Sequence, residues 1–246
     1  MTYCVGLKLK AGLVMMSDTR TNAGVDNISV FKKMFLWETE GERSITIMTA
    51  GNLATTQAVI SLLNERAIPA EERGSPSILE APSMFQVAHL VGDTLREVIA
   101  DQSGEDGPQA DSPFSATMIV GGQVRGGEPR LFLIYPEGNF VEASEDTPFF
   151  QIGETKYGKP ILVRAYDAEM SFEDAVKLLM VSFDSTIKAN LSVGQPLDLH
   201  IYEADTFKTG LERRIERGDA FFDMISTDWG DALRDAFHRL PSYSLD

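Results

Sequence analysis

One cysteine and three histidines in 246 residues exclude much of catalytic and metal chemistry at the outset. Cys4 alone cannot close an internal disulfide. With only the widely spaced His89, His200 and His238 beside it, no zinc-ligand pattern exists, so neither a metal nor any other cofactor is expected. Long apolar runs are missing too: nothing approaches the ~18 residues needed to span a bilayer. The chain does not open like a signal peptide, because it lacks a basic n-region and its first apolar run is broken by Lys8, Lys10 and Gly12. The cytoplasm is therefore the expected location. Basic charge is scarce as well. With 22 Lys and Arg against 37 Asp and Glu, the net charge of −15 repels nucleic acid and anionic membrane alike, and neither is expected as a partner. What remains, 43% hydrophobic and 24% charged, is ordinary for a globular chain long enough to bury a substantial core.

The informative stretch is the first 34 residues. Met1 precedes Thr2, a residue small enough for methionine aminopeptidase to remove the Met. Its removal leaves a threonine whose hydroxyl and free amine sit on adjacent carbons. An α-amine titrates near ~7.7–8.0, so around neutrality an appreciable fraction is able to take the hydroxyl proton. Tyr3, Val5, Leu7 and Leu9 then alternate with Cys4, Gly6, Lys8 and Lys10, the period of a strand, and Ala11-Gly12 reads as a turn into a second strand, Leu13-Val14-Met15-Met16. Such a hairpin brings Asp18 back beside Thr2, and a return strand through 28–31 would bring Lys33 there. A lysine near the hydroxyl favours the alkoxide, and an aspartate behind it keeps it charged and oriented.

These residues carry a resemblance. TYCVGLKLKAGLVMMSDTRTNAG, followed by KKM and by TAGNLATTQAV at 49–59, is similar to the start of a catalytic proteasome β subunit. In length and local wording the chain looks most like Anbu, the bacterial proteasome homologue, within the N-terminal nucleophile hydrolases. The resemblance is specific over 2–63, looser to about 205 and absent over the C-terminal forty. It implies Thr2 as nucleophile, Asp18 and Lys33 as its activators, and the Gly51 amide as an oxyanion donor. Choosing Lys33 over Lys32 requires one residue fewer after Gly24 than most β subunits have. The resemblance also implies peptide bound as an added strand on the backbone of Thr21 and Gly51, with Thr49, Leu53 and Arg20 bordering a side-chain pocket. The family's supporting serine and aspartate do not carry over. Gly153-Glu154-Thr155 stands where a Gly-Ser-Gly turn is usual, and Asn190 and Val193, with Ser192 adjacent, stand near the final helix end. Glu154, Asn190 and Ser192 are the candidates for support. Glu154 either accepts from the protonated amine or is a solvated turn residue.

Strands and helices alternate in blocks. A strand over 43–50 leads to a helix over 53–66 with Asn52 as N-cap. A Pro- and Glu-rich connection at 67–82 precedes a helix opened by Ser83 and Gln86, and a polar loop covers 102–112. Hairpins from 115 to 153 make a second sheet, helices follow at 155–165 and 171–189, and a last strand begins at Leu197. This order, and the resemblance, predict an α+β four-layer αββα sandwich of two antiparallel sheets with helix pairs outside. The expected organisation is a hydrolase domain over 2–205 and a helical extension over 206–246, packed on the domain or on a neighbouring subunit. The function expected is that of a threonine peptidase acting on peptide or amide substrates as a homo-oligomer of many subunits, ring or open helix. The alternatives are an amidase on a small molecule or isopeptide and a non-catalytic assembly subunit. No unfoldase-docking feature is recognisable in the sequence, which leaves an ATPase partner unknown.

Overall fold

The computed structural model describes residues 2–22, 28–68, 75–103 and 113–245. Met1, residues 69–74 of the Pro- and Glu-rich connection, residues 23–27 and the polar loop from 104 to 112 lie outside the described residues. The predicted hairpin is β1 (Tyr3–Leu9) and β2 (Gly12–Asp18), with Cys4 opposite Ser17 and Leu7 opposite Val14. A short antiparallel ribbon follows, β3 (Arg20–Asn22) with β4 (Ile28–Val30). Next come β5 (Met34–Thr39), β6 (Arg43–Gly51), α1 (Leu53–Glu65), α2 (Met84–Ser103), β7 (Ala116–Val124), β8 (Arg130–Ile134), β9 (Phe140–Glu142) and β10 (Phe149–Gly153). The chain continues through α3 (Lys159–Ala165), α4 (Phe172–Ala189), β11 (Leu197–Glu203), β12 (Leu211–Ile215) and α5 (Ala220–His238).

The caps form where their side chains predict them. Asn52 accepts from the Thr55 amide and Ser171 from the Asp174 amide, each satisfying one of the donors that a helix start leaves free.

The strands make two five-stranded antiparallel sheets, ordered β10-β1-β2-β11-β12 and β5-β6-β7-β8-β9. Alternation decides which layer each side chain enters. Val5, Leu7, Val14 and Met16 point outward from the first sheet into a core shared with Leu162 of α3 and Leu179 and Phe183 of α4. Ile45, Ile47 and Val120 do the same from the second sheet, against Val59 and Leu63 of α1 and Val87 and Val91 of α2. Cys4, Leu13, Met15 and Ile152 meet Met34, Met48, Ile119 and Leu131 between the sheets. The result is the expected αββα sandwich, and it buries both faces of β1 and β2. Close approach of the sheets needs a position without a side chain. At Gly121 an added Cβ would lie 3.0 Å from Met15 Sδ and 3.1 Å from Leu131 Cδ1. Polar ties also cross this layer: the Tyr202 hydroxyl donates to Gln123 Oε1 at 2.7 Å, and Thr46 Oγ1 and His200 Nδ1 lie 2.9 Å apart. Burial holds that imidazole below its ordinary pKa, favouring the neutral ring that such a contact suits.

The C-terminal part differs from the expectation of a helical extension. Leu197 does not begin the last strand: β12 pairs with β11 and forms the edge of the first sheet, so residues 211–215 belong to the sandwich. After β12, Asp219 caps α5 by accepting from the amides of Phe221 and Phe222. Phe222 is buried and Ile225 packs on the outer core of the first sheet, while Leu233, Phe237 and Leu240 farther along stay exposed. The first turns of α5 thus dock on their own domain.

Two glycine substitutions are expected to act with opposite signs. Gly121→Val wedges side-chain volume between the sheets and lowers the unfolding free energy by about 1–3 kcal/mol. Gly230→Ala, whose new Cβ would find only Arg234 Nη1 at 3.9 Å, stabilises α5 by about 1 kcal/mol. Urea unfolding followed by circular dichroism checks the first, and amide-exchange protection across α5 checks the second.

Candidate active site

Thr2 stands half-buried just before β1, and the hairpin register delivers Asp18 to it from the end of β2. The Tyr3 amide donates to Asp18 Oδ1 at 2.9 Å, tying the start of the chain to that carboxylate. Tyr3 is itself clamped: its hydroxyl lies 2.7 Å from Ser182 Oγ and accepts from Gln151 Nε2 at 2.6 Å. Burial pushes its pKa up to about 12, so the phenol is neutral and serves to anchor the residue. Cys4, wholly buried on the opposite face, has its thiol pushed upward by burial, which removes it as a nucleophile.

Lys33 reaches the same carboxylate by way of the return strand expected through 28–31. The return strand β4 ends at Val30, and Lys33 lies in the extended link between β4 and β5. Its Nζ donates to Asp18 Oδ1 at 2.8 Å and to the Arg20 carbonyl at 2.6 Å. The two side chains of the ion pair are only 5% and 0% exposed. Burial pushes the Asp18 carboxyl above its ordinary value, opposed by the Lys33 ammonium and by the Tyr3 and Gly194 amides. Two donors converge on Oδ1, so that oxygen acts as an acceptor for both.

The supporting candidates come together behind Thr2. The Glu154 amide donates to the Thr2 carbonyl at 2.7 Å, an approach that needs glycine before it, since a Cβ on Gly153 would fall 2.0 Å from that oxygen. Glu154 is 7% exposed, which excludes a solvated turn residue. Its carboxylate accepts from Asn190 Nδ2 at 3.0 Å and from the Lys156 amide at 3.0 Å, and Asn190 Oδ1 accepts from the Ser192 amide at 2.9 Å. Ser192 thus enters through its backbone.

Thr2 opens onto a cleft of about 470 Å³, lined also by Thr21, Lys33, Thr49, Gly51 and Leu53. Arg20 is the exception among the residues expected there. Its guanidinium lies against Gly194, outside the cleft lining, and its contribution to the site is the carbonyl that holds Lys33. Sequence reasoning missed Lys32, Phe35, Thr56 and Gln57, which also line the cleft. Thr56 and Gln57 were within reach of it, for they follow Leu53 at the i+3 and i+4 spacing of one helix face. A wider cleft of about 690 Å³, bordered by Glu38, Glu203 and Lys208, lies away from Thr2. Chemistry rather than size selects the smaller one.

Comparison with known proteins agrees with this fold. A family model described as "Proteasome subunit" matches residues 2–201. Proteasome subunit beta 2 of Pyrobaculum calidifontis is 25% identical over 203 residues, 81% of this chain and 87% of that protein. Among solved structures, Anbu (ancestral beta-subunit) from Yersinia bercovieri has a TM-score of 0.91 at 45% identity, covering 99% of this chain and 100% of that one. The helical assembly of the Anbu complex from Pseudomonas aeruginosa gives 0.91 at 47% identity, with 99% of each chain covered. These structural matches run through the C-terminal forty residues, where the sequence alone carried no resemblance.

The buried ion pair has a measurable signature. Lys33→Ala strands a carboxylate with no access to water and is expected to cost about 3–5 kcal/mol of stability. Asp18→Asn combined with Lys33→Met, which removes both charges and keeps the volume, is expected to recover most of that loss. Urea denaturation of the single and double variants gives the comparison.

Proposed function

This chain belongs to the proteasome subunit family, and on that footing we propose that it is a threonine-type hydrolase of amide bonds, with Thr2 as nucleophile once Met1 is removed. The observation that carries the proposal is the buried Lys33–Asp18 pair, whose aspartate also holds the Tyr3 amide next to Thr2. In the proposed reaction Thr2 Oγ attacks the carbonyl carbon of the substrate amide while its own α-amine takes the hydroxyl proton. The Lys33 ammonium lowers the cost of the developing alkoxide, and the Gly51 amide receives the oxyanion. Collapse of the tetrahedral intermediate breaks the C–N bond, and the α-ammonium returns its proton to the leaving nitrogen. Water, deprotonated by the same amine, then hydrolyses the ester on Thr2 and restores the hydroxyl. An extended peptide would lie against the backbone of Thr21 and Gly51 as an added strand, its side chain entering beside Thr49 and Leu53.

The same attack serves an isopeptide or a small-molecule amide, and the half-buried opening at Thr2 admits either. A non-catalytic assembly subunit is the reading favoured by Glu154 and Asn190, which stand where the resemblance to catalytic proteasome β subunits implies a serine and an aspartate.

The test is an electrophilic peptide probe for N-terminal threonine, read by intact mass. The active species is expected to lack Met1 and to carry one probe per chain, and Thr2→Ala to carry none. Lys33→Met is expected to slow labelling by about 100–1,000-fold, the usual effect of losing one preorganised electrostatic group. Met1 retained in the labelled species would remove the mechanism. Absence of any label on a Met-free, folded protein would favour the assembly subunit.

Assembly is proposed on the same family footing. Relatives are proteasome subunits, and one Anbu relative is described as a helical assembly. Light scattering is expected to report a homo-oligomer of many subunits; a 27.1 kDa monomer at working concentration would contradict it.

A further inference from the structure

The charges around the Thr2 cleft run against the rest of the molecule. Asp and Glu outnumber Lys and Arg by 37 to 22 over the whole chain, yet among the described residues lining the cleft there are two lysines and no carboxylate. The two lysines are not equivalent. Lys33 is committed to Asp18 and to the Arg20 carbonyl. Lys32 has no carboxylate at ion-pair distance among the described residues, and its ammonium sits 6.0 Å from the centroid of the Phe35 ring, which is itself part of the cleft wall. The remaining wall is neutral, with hydroxyls from Thr49 and Thr56, the Gln57 carboxamide and the apolar Leu53. Lys32 also borders a neighbouring cleft that contains Asp198 and Glu212, neither of them at ion-pair distance. An exposed cation beside an aromatic face, with no carboxylate at ion-pair distance among the described residues, is available to an anion on the ligand.

We propose that the side chain entering this cleft, on the residue immediately before the scissile bond, ends in a carboxylate, and that Lys32 is the residue that selects it. This rests on the hydrolase reading above. The apolar flank of Leu53 and Phe35 takes the methylenes of such a side chain, and the Lys32 ammonium receives its carboxylate. A lysine or arginine at the same substrate position meets a like charge and no counter-ion. The excess negative charge elsewhere on the molecule opposes acidic peptides at long range, so selectivity has to arise within the cleft, where short distance strengthens the pairing.

Four electrophilic probes that differ only in the residue next to the reactive group (glutamate, glutamine, leucine and lysine) separate charge from shape. With the purified wild-type assembly, the glutamate probe is expected to label Thr2 about tenfold faster than its near-isosteric glutamine partner, as a charge-assisted hydrogen bond implies, and the lysine probe slowest. Lys32→Ala is expected to collapse the glutamate-to-glutamine ratio toward one, and Lys32→Glu to reverse the order of the glutamate and lysine probes. A wild-type ratio near one, or a ratio that survives Lys32→Ala, overturns the inference while leaving the hydrolase intact. Failure of all four probes on folded, Met-free protein overturns the hydrolase reading and this inference with it.

Discussion

The ion pair between Lys33 and Asp18 is the contact on which the site depends, because it gathers three separate pieces of chain at one oxygen. Asp18 ends β2, the Tyr3 amide belongs to the first residue of β1, and Lys33 arrives from the link between β4 and β5. Each alone would leave a polar group buried without a partner, which costs more than the group gains by being inside. Together they pair Asp18 Oδ1 with the Tyr3 amide and the Lys33 ammonium and leave Thr2 at the mouth of a cleft. The pair therefore ties the ribbon to the hairpin, and in the proposed reaction the same lysine supplies the positive charge that favours the alkoxide.

That arrangement is held from behind by the sandwich. Tyr3 is clamped by Ser182 on α4 and Gln151 on β10, so one helix and a neighbouring strand fix the residue after Thr2. The layer between the sheets is rich in methionine, with Met15, Met34 and Met48 all buried there. Flexible thioethers fill irregular space between two twisted surfaces well. Gly121 sits in this layer, and its missing side chain lets Met15 and Leu131 close over it.

Much of this was legible in advance. The period of two in residues 3–9, the apolar second strand, the Asn52 and Ser171 caps and the block order of strands and helices led to an αββα sandwich, and the molecule has one. Asp18 and Lys33 were legible as partners because a hairpin register is short-range and the lysine was matched by its wording. Arg20 was misplaced since a side chain at a strand end has several directions open to it, and only Gly194, distant in sequence, offers the surface it packs on. The strand β12 was missed because Leu211, Glu212, Arg213 and Arg214 are exposed on an edge and carry no alternation to detect.

By itself, then, the sequence determined the local geometry: which stretches pleat, which coil, where helices begin, and that a threonine follows the initiator methionine. Those properties depend on neighbours within a few residues and survive in any context. The tertiary structure alone decided that Glu154 is buried and bridged to Asn190, that Tyr3 is anchored to α4, and that Lys32 shares the cleft wall with Phe35 and has no carboxylate at ion-pair distance among the described residues. Each of these joins residues dozens to more than a hundred positions apart or turns on what fails to approach. Such outcomes are set by how two sheets close on each other, a global packing problem whose solution no short window of sequence contains.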